Sequence, residues 1–238
     1  MQERKKVYTS FHDLSPREYM YIPKGTLDEG KPGKFSKIEL KHLLIAMFVL
    51  TIAFSFAFSP IYQFNIDIFL QSIPISFLGI FTAFFVHELS HKFMAQKYGL
   101  WSEFRMYPSG LILSLFLAMF TGFVFAAPGA VMFQGGSRSY ETGKIAAAGP
   151  SANIAVAAIT LPLSNIFFET NIGSINIGEV TIFICFINSL LATFNLLPFG
   201  PLDGTKILRW NGIIWAVLLV ISITLLALNF TRGIAFPG

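Results

Sequence analysis

Apolar residues in this chain come in long uninterrupted blocks and do not alternate with polar ones. Stretches free of charge run over 43–59, 69–86, 106–137, 145–168, 180–202 and 210–231. A helix that crosses a bilayer needs about 20 predominantly apolar residues, so each block reaches or approaches the length of a span. The second block continues past its first charges in a helical pattern to about Tyr98, where Gly99 offers a stop. Residues 1–42 carry scattered Pro, Gly and charge without periodicity, and they read as a weakly ordered or surface-lying tail. No repeat at solenoid periods is evident. The pattern predicts an all-α polytopic membrane protein: a helical bundle with five or six membrane segments. Within the long block 106–137, residues 130–134 (Ala-Val-Met-Phe-Gln) have strand-like composition.

Composition supports the membrane reading and removes several classes. Of 238 residues, 54% are apolar and 13% charged, against about 25% charged in soluble domains. Nine of the 17 Lys and Arg lie in residues 1–42, so the apolar body carries even less charge than the average suggests. The net charge of +4 therefore reads as a cytoplasmic membrane flank and not as a nucleic-acid surface. One cysteine, Cys185, excludes a disulfide scaffold and a cysteine-rich metal knuckle. The first apolar block starts only near Leu43, which does not resemble a secretory signal peptide.

Ionisable groups inside a span cost about 2.5–3.5 kcal/mol each on insertion scales, so each one needs a reason. Asp67, Glu103, Glu141, Glu169 and Glu179 are expected at ends or loops with water in reach. His87 and Glu88 are different. With Leu89, Ser90 and His91 they spell H-E-x-x-H at the end of a long apolar helix. Positions i and i+4 share a helix face, so His87 and His91 can present two imidazoles to one ion. Glu88 projects beside them, placed to accept a proton from water at the metal. The alternative is a pair of satisfied core histidines.

Four-coordinate zinc with catalytic access takes a third protein ligand. His12 falls in the polar tail and His42 at the entrance to the first span, and Cys185 reads as a packing residue. Asp203 follows Asn195-Leu-Leu-Pro-Phe-Gly-Pro-Leu, where Pro198 and Pro201 should break a helix while Gly200 and Gly204 let the backbone turn. Irregular backbone at membrane depth is tolerated where it is buried in protein or lines a watery cavity. Otherwise Asp203 is a solvated residue in an ordinary loop.

On these residues the sequence resembles the site-2 protease family of intramembrane zinc metalloproteases. The resemblance rests on His87-Glu88-Leu89-Ser90-His91, on the N-x-x-P-x-x-x-x-D-G pattern from Asn195 to Gly204, and on Gly149-Pro150-Ser151-Ala152-Asn153. It implies a catalytic membrane core over 68–210, flanked by a first helix and external loop (43–67) and a C-terminal membrane helix (211–238). It implies one zinc ion (Zn2+) held by His87, His91 and Asp203, with Glu88 as the catalytic carboxylate. Asn153 is implied to line the substrate side of the cleft, with helix packing as its plain alternative, and Asn195 is assigned to substrate binding with it. The connection from Lys92 to Ala148 is longer and more apolar than the family's, and no PDZ-like or CBS-like domain is evident.

Charge and ligand geometry together choose a topology. If 106–137 crossed fully, the helix leading to Asp203 would run opposite to the His87 helix and the ligands would face opposite membrane surfaces. If that block is re-entrant, five crossings remain, both ligand helices end on the cytoplasmic side, and of all Lys and Arg only Arg232 falls outside. The expected protein is a cell-membrane endopeptidase with a cytoplasmic N-terminal tail. It would cut single-span membrane proteins within the lipid bilayer, with no nucleic-acid partner. Residues 130–134 would offer a strand edge to the unwound substrate or form a packed loop. The competing readings are a metal-binding membrane transporter and an inactive scaffold that holds membrane helices.

Overall fold

The computed structural model describes residues 35–124, 128–134, 138–173 and 175–231. Tail residues 1–34, among them His12, and Arg232 lie outside the described residues. Helix α1, Lys37–Phe58, starts earlier than the first uncharged block because Ser36 caps it: the Ser36 hydroxyl accepts the Glu39 N–H at 3.0 Å. Glu39, Lys41 and His42, assigned to the tail by composition, are therefore on its first turns. The second apolar block forms one 32-residue rod made of α2 (Ile66–Ile80), a π-helical turn (Phe81–Phe85) and α3 (Val86–Lys97). At 1.5 Å per residue it is about 48 Å long, more than enough to cross. Gly99, at φ +72°, ends it as the sequence predicts.

Strand β1 (Trp101–Met106), helix α4 (Pro108–Thr121) and strand β2 (Gly129–Gln134) follow. The strands pair antiparallel, from Met106 opposite Gly129 to Trp101 opposite Gln134. The chain thus leaves a two-stranded sheet through α4 and returns to it. With 14 residues, α4 is too short to cross, and the described residues of 106–137 add no sixth span. Gly122 caps α4 at φ +72°, and a Cβ on Gly129 would collide with the Arg105 carbonyl. The strand-like segment at 130–134 is a strand. Its partner β1 carries no such sign in the sequence, since Glu103 and Arg105 interrupt its apolar residues.

Helix α5 (Ser139–Ile166) is followed by a small hairpin, β3 (Asn171–Ile172) and β4 (Ile175–Asn176), then α6 (Ile177–Asn195), α7 (Asp203–Trp210) and α8 (Gly212–Thr231). Among the described residues five helices are long and apolar enough to span a membrane: α1, the α2–α3 rod, α5, α6 and α8. The protein is an integral, multi-pass helical bundle. Helix α5 lies at its centre, packed on α3, α6, α7 and α8, while Leu43, Met47 and Leu50 of α1 bury against Ile80, Phe84, Phe104 and Leu111.

Successive spans reverse direction, which gathers the start of α1, the end of α3, the start of α5, and α7 at one end. Side-chain contacts hold that end together: Lys92 of α3 reaches Glu39 of α1 at 2.7 Å, and His91 reaches the Ile145 carbonyl of α5 at 2.7 Å. All nine Lys and Arg among the described residues lie on elements at this end, and the loops at the other end, 59–65 and 167–176, have none. Two acids expected near water are not there. Glu103 is fully buried beside Arg105. Glu141 is nearly buried, its carboxylate accepting the Arg138 N–H at 2.9 Å.

Candidate metal centre

The long rod brings His87 and His91 to the charged end of the bundle on one face of α3, their ring centroids 4.6 Å apart. Asp203 arrives from a separate direction. Helix α6 stops at Asn195, the chain turns through Pro198, Gly200 (φ +61°) and Pro201, and α7 starts at Asp203 itself. Gly204 makes this turn possible, because a Cβ there would collide with the Leu196 backbone. The Trp215 indole N–H donates to the Leu196 carbonyl at 2.7 Å and pins the same turn from α8.

His91 Nε2 lies 3.0 Å from His87 Nε2. Asp203 Oδ2 lies 3.0 Å from His91 Nε2 and 3.5 Å from His87 Nε2. All three side chains are buried. The separations bracket the edge of a tetrahedron around a zinc ion, about 3.3 Å for ligand bonds near 2.05 Å.

The protons are arranged for metal as well. His91 Nδ1 faces the Ile145 carbonyl at 2.7 Å, and a carbonyl only accepts, so Nδ1 carries the proton and Nε2 its lone pair. His87 Nδ1 faces Asn153 Oδ1 at 2.5 Å. The Asn153 amide nitrogen donates elsewhere, to the Ala83 carbonyl at 2.8 Å and to Asn188 Oδ1 at 2.9 Å. Its oxygen therefore faces the imidazole as an acceptor, and His87 Nε2 also keeps its lone pair. Two lone pairs and a carboxylate converge with no proton among them, a donor set that a cation satisfies. Space is kept at the same point: a Cβ on Gly149 would lie 2.6 Å from His87 Nε2 and closer still to His91 Nε2. The residues present fit zinc.

Around this triad, burial works against the Asp203 carboxylate, and the Lys206 ammonium beside it favours the ionised form. Lys206 Nζ stands 3.2 Å from Asp203 Oδ1. Glu88, next to His87 and 9% exposed, lies beside the Val131 backbone of β2. Its Oε2 has no hydrogen-bond partner among the described residues. The π-helical turn lies just upstream and supplies the Ala83 carbonyl that Asn153 holds.

His87, His91, Glu88 and Asp203 are brought together by the fold. Asn153 joins them: it is fully buried, and its carboxamide oxygen faces His87 Nδ1. Asn195 stands apart, its amide bonded back to Leu191 of its own helix at 3.1 Å. The metal-competent group does not include His42 or Cys185. Lys206 and Asn188 also belong to the site, outside the motifs. Lys206 follows Asp203 by one helical step, a spacing that offered a signal. For Asn188 the only signal is a carboxamide in an apolar helix.

The chain is similar to proteins of Methanocaldococcus jannaschii. The protein named "Putative zinc metalloprotease MJ0611" is 42% identical over 186 residues, which cover 78% of this chain and 91% of that relative. "Zinc metalloprotease MJ0392" is 29% identical over 134 residues, covering 56% of this chain and only 33% of its own length. No protein-family model and no solved structure matches the chain.

Proposed function

The chain belongs to the zinc metalloprotease family of these relatives, and from that premise we propose that it is an intramembrane endopeptidase of the site-2 protease type, cutting single-span membrane proteins. The observation that carries this reading is the position of the site. The two histidines end one membrane span, Asp203 follows another, and the buried Glu88 carboxylate stands beside them on the first. His87, His91 and Asp203 would hold the zinc ion, which when bound would supply Lewis acidity for the scissile carbonyl and the attacking water. Glu88, through its unpartnered Oε2, takes the proton of the attacking water and returns it to the leaving amine. Lys206 favours the ionised form of Asp203, and Asn153 and the Ile145 carbonyl hold both imidazoles with Nε2 forward.

A substrate helix satisfies its own amides, so it must unwind before attack. Strand β2 supports a place for the unwound segment. The Val131 backbone lies beside Glu88, and β2 has one edge not paired with a strand among the described residues. Strand addition there would satisfy the substrate backbone while presenting it to the site. The clustering of basic residues at the site end supports a cytoplasmic active site in the cell membrane.

Purified protein in lipid vesicles, incubated with a single-span substrate, tests the reading. Wild type should cleave it, and Glu88→Gln should retain zinc without cleaving. Zinc movement across the vesicle membrane without cleavage would favour a transporter, and binding of the substrate without cleavage a scaffold. Either outcome overturns the proposal. Sidedness has its own test in a Cys185→Ser background. An impermeant thiol reagent should label Lys97→Cys and Ser139→Cys from the cytoplasmic face and Asn171→Cys from the other. Labelling of Lys97→Cys and Ser139→Cys from opposite faces would rule out the excursion through α4.

A further inference from the structure

We propose that Asn188, on α6, is a positioning residue for the metal centre: it keeps the Asn153 carboxamide the right way round and so holds His87 in the tautomer that binds zinc. The proposal rests on His87 being a zinc ligand. The route is a chain of hydrogen bonds through fully buried carboxamides. Asn188 Nδ2 donates to the Ile184 carbonyl at 2.9 Å and to Thr82 Oγ1 at 3.1 Å. Thr82 Oγ1 lies 2.9 Å from the Leu78 carbonyl and 3.0 Å from that of Gly79, so its proton is engaged and it meets Asn188 as an acceptor. With its nitrogen between these partners, Asn188 presents Oδ1 to Asn153 Nδ2 at 2.9 Å. Asn153 in turn presents Oδ1 to His87 Nδ1.

A carboxamide is nearly symmetric in shape, so packing alone does not tell its oxygen from its nitrogen. If Asn153 turned over, its N–H would face His87 Nδ1. The imidazole would then move its proton to Nε2, the atom that points at Asp203 and His91, and the metal lone pair would be lost. Two acceptors oppose that flip, the Ala83 carbonyl and Asn188 Oδ1. Only the second is a side chain. Three helices thus contribute to one tautomer: α6 through Asn188, α5 through Asn153 and α3 through His87. This gives a reason for a buried carboxamide in a largely apolar membrane helix, where it needs partners to be tolerated.

The experiment measures zinc affinity by competition with a chromophoric chelator, and the His87 tautomer by nitrogen NMR of zinc-free protein labelled at histidine. The chain has only four histidines, so the signals are assignable by substitution. Asn188→Leu should weaken zinc binding by about 10–100-fold, the usual effect of losing an outer partner, and should shift His87 from Nδ1–H toward Nε2–H. Asn188→Thr, whose hydroxyl can accept the same N–H, should lose less. In an Asn153→Leu background, Asn188→Leu should add nothing, because its effect passes through Asn153. Asn188→Ala replaces Asn188→Leu in each comparison if the larger side chain prevents folding. An unchanged tautomer, equal losses for Leu and Thr, or additive losses in the double variant would overturn the proposal. Failure of the wild type to bind zinc at all would instead overturn the assignment of the metal site, and the tautomer measurement would still report on Asn188 by itself.

Discussion

His91 and Lys92 are neighbours on α3, yet they feed two buried polar clusters of opposite design. The Lys92 ammonium lies 2.7 and 2.9 Å from the two Glu39 oxygens and 2.8 Å from the Ser102 carbonyl, with the Phe35 ring 4.8 Å away. Its three donors have three acceptors, and Glu39 Oε1 also takes the Phe104 N–H at 3.0 Å. That cluster is closed. It joins α1, α3 and β1 and leaves no valence for a ligand. On the His91 side every proton points outward and acceptors crowd inward, so the balance calls for a cation. Buried charge in a membrane helix therefore does not by itself mark a functional site. The mark is buried charge left unmatched.

Substitutions should separate the two clusters, and the largest effect is expected at the open one. Asp203→Ala should lose both zinc and all measurable cleavage, with helicity retained in zinc-free protein. Stoichiometric zinc in that variant, by elemental analysis, would point to another third ligand. Glu88→Gln should keep full zinc while cleavage falls by about 10²–10⁴-fold, the range for removing a general base. Normal turnover would remove Glu88 from the mechanism.

The closed cluster should answer in stability instead. Lys92→Met strands the Glu39 carboxylate and should cost about 3–5 kcal/mol, read as an earlier denaturant midpoint, with zinc still bound by the folded fraction. Glu39→Leu combined with Lys92→Met should recover most of that loss; additive losses would mean the two residues are not one unit. The smallest effect is expected at Glu103, next to this cluster. Burial pushes its carboxyl up, further than Ser36, Arg105 and Lys92 bring it down, and Glu39 adds to the rise. A raised value in the fold means stability present below the ordinary glutamate range and lost as pH rises through the raised value. Glu103→Gln should flatten that decline in a pH series of unfolding curves, and an unchanged slope would show that another group causes it.

The open cluster was largely legible in the sequence, and the closed one was not. His87, Glu88 and His91 sit within one helical turn and a half, so their spacing alone places them. Pro198, Gly200, Pro201 and Gly204 announce the break that delivers Asp203, because those residue types constrain the backbone wherever they occur. Glu39 and Lys92 are 53 residues apart, and Glu39 and Phe104 are 65 apart. No local pattern records such pairings, and Glu103 accordingly reads as a residue near water. Strand β1 was hidden for the same reason: its charged residues read as exposed until their partners are known. Asn153 was visible as part of a motif, but its role depends on which of its atoms faces His87.

The wide turn at 81–85 has a consequence for the rotational phase of the rod. Buried residues along the rod keep a four-residue beat: Ser72, Ser76, Ile80, Phe84, Glu88 and Lys92, with Gly79, Ala83, His87, His91 and Ala95 beside them. In an uninterrupted α-helix each such step drifts by about 40°, so the stripe would wind well around the rod before it reached the histidines. One π-helical turn absorbs about one residue, or about 100° of that drift. The turn therefore acts as an inserted residue that leaves the two halves in step. Deleting one residue from 81–85 should let the rod rewind as plain α-helix with His87 and His91 still facing inward, whereas a deletion on either side of the turn would rotate them off the site.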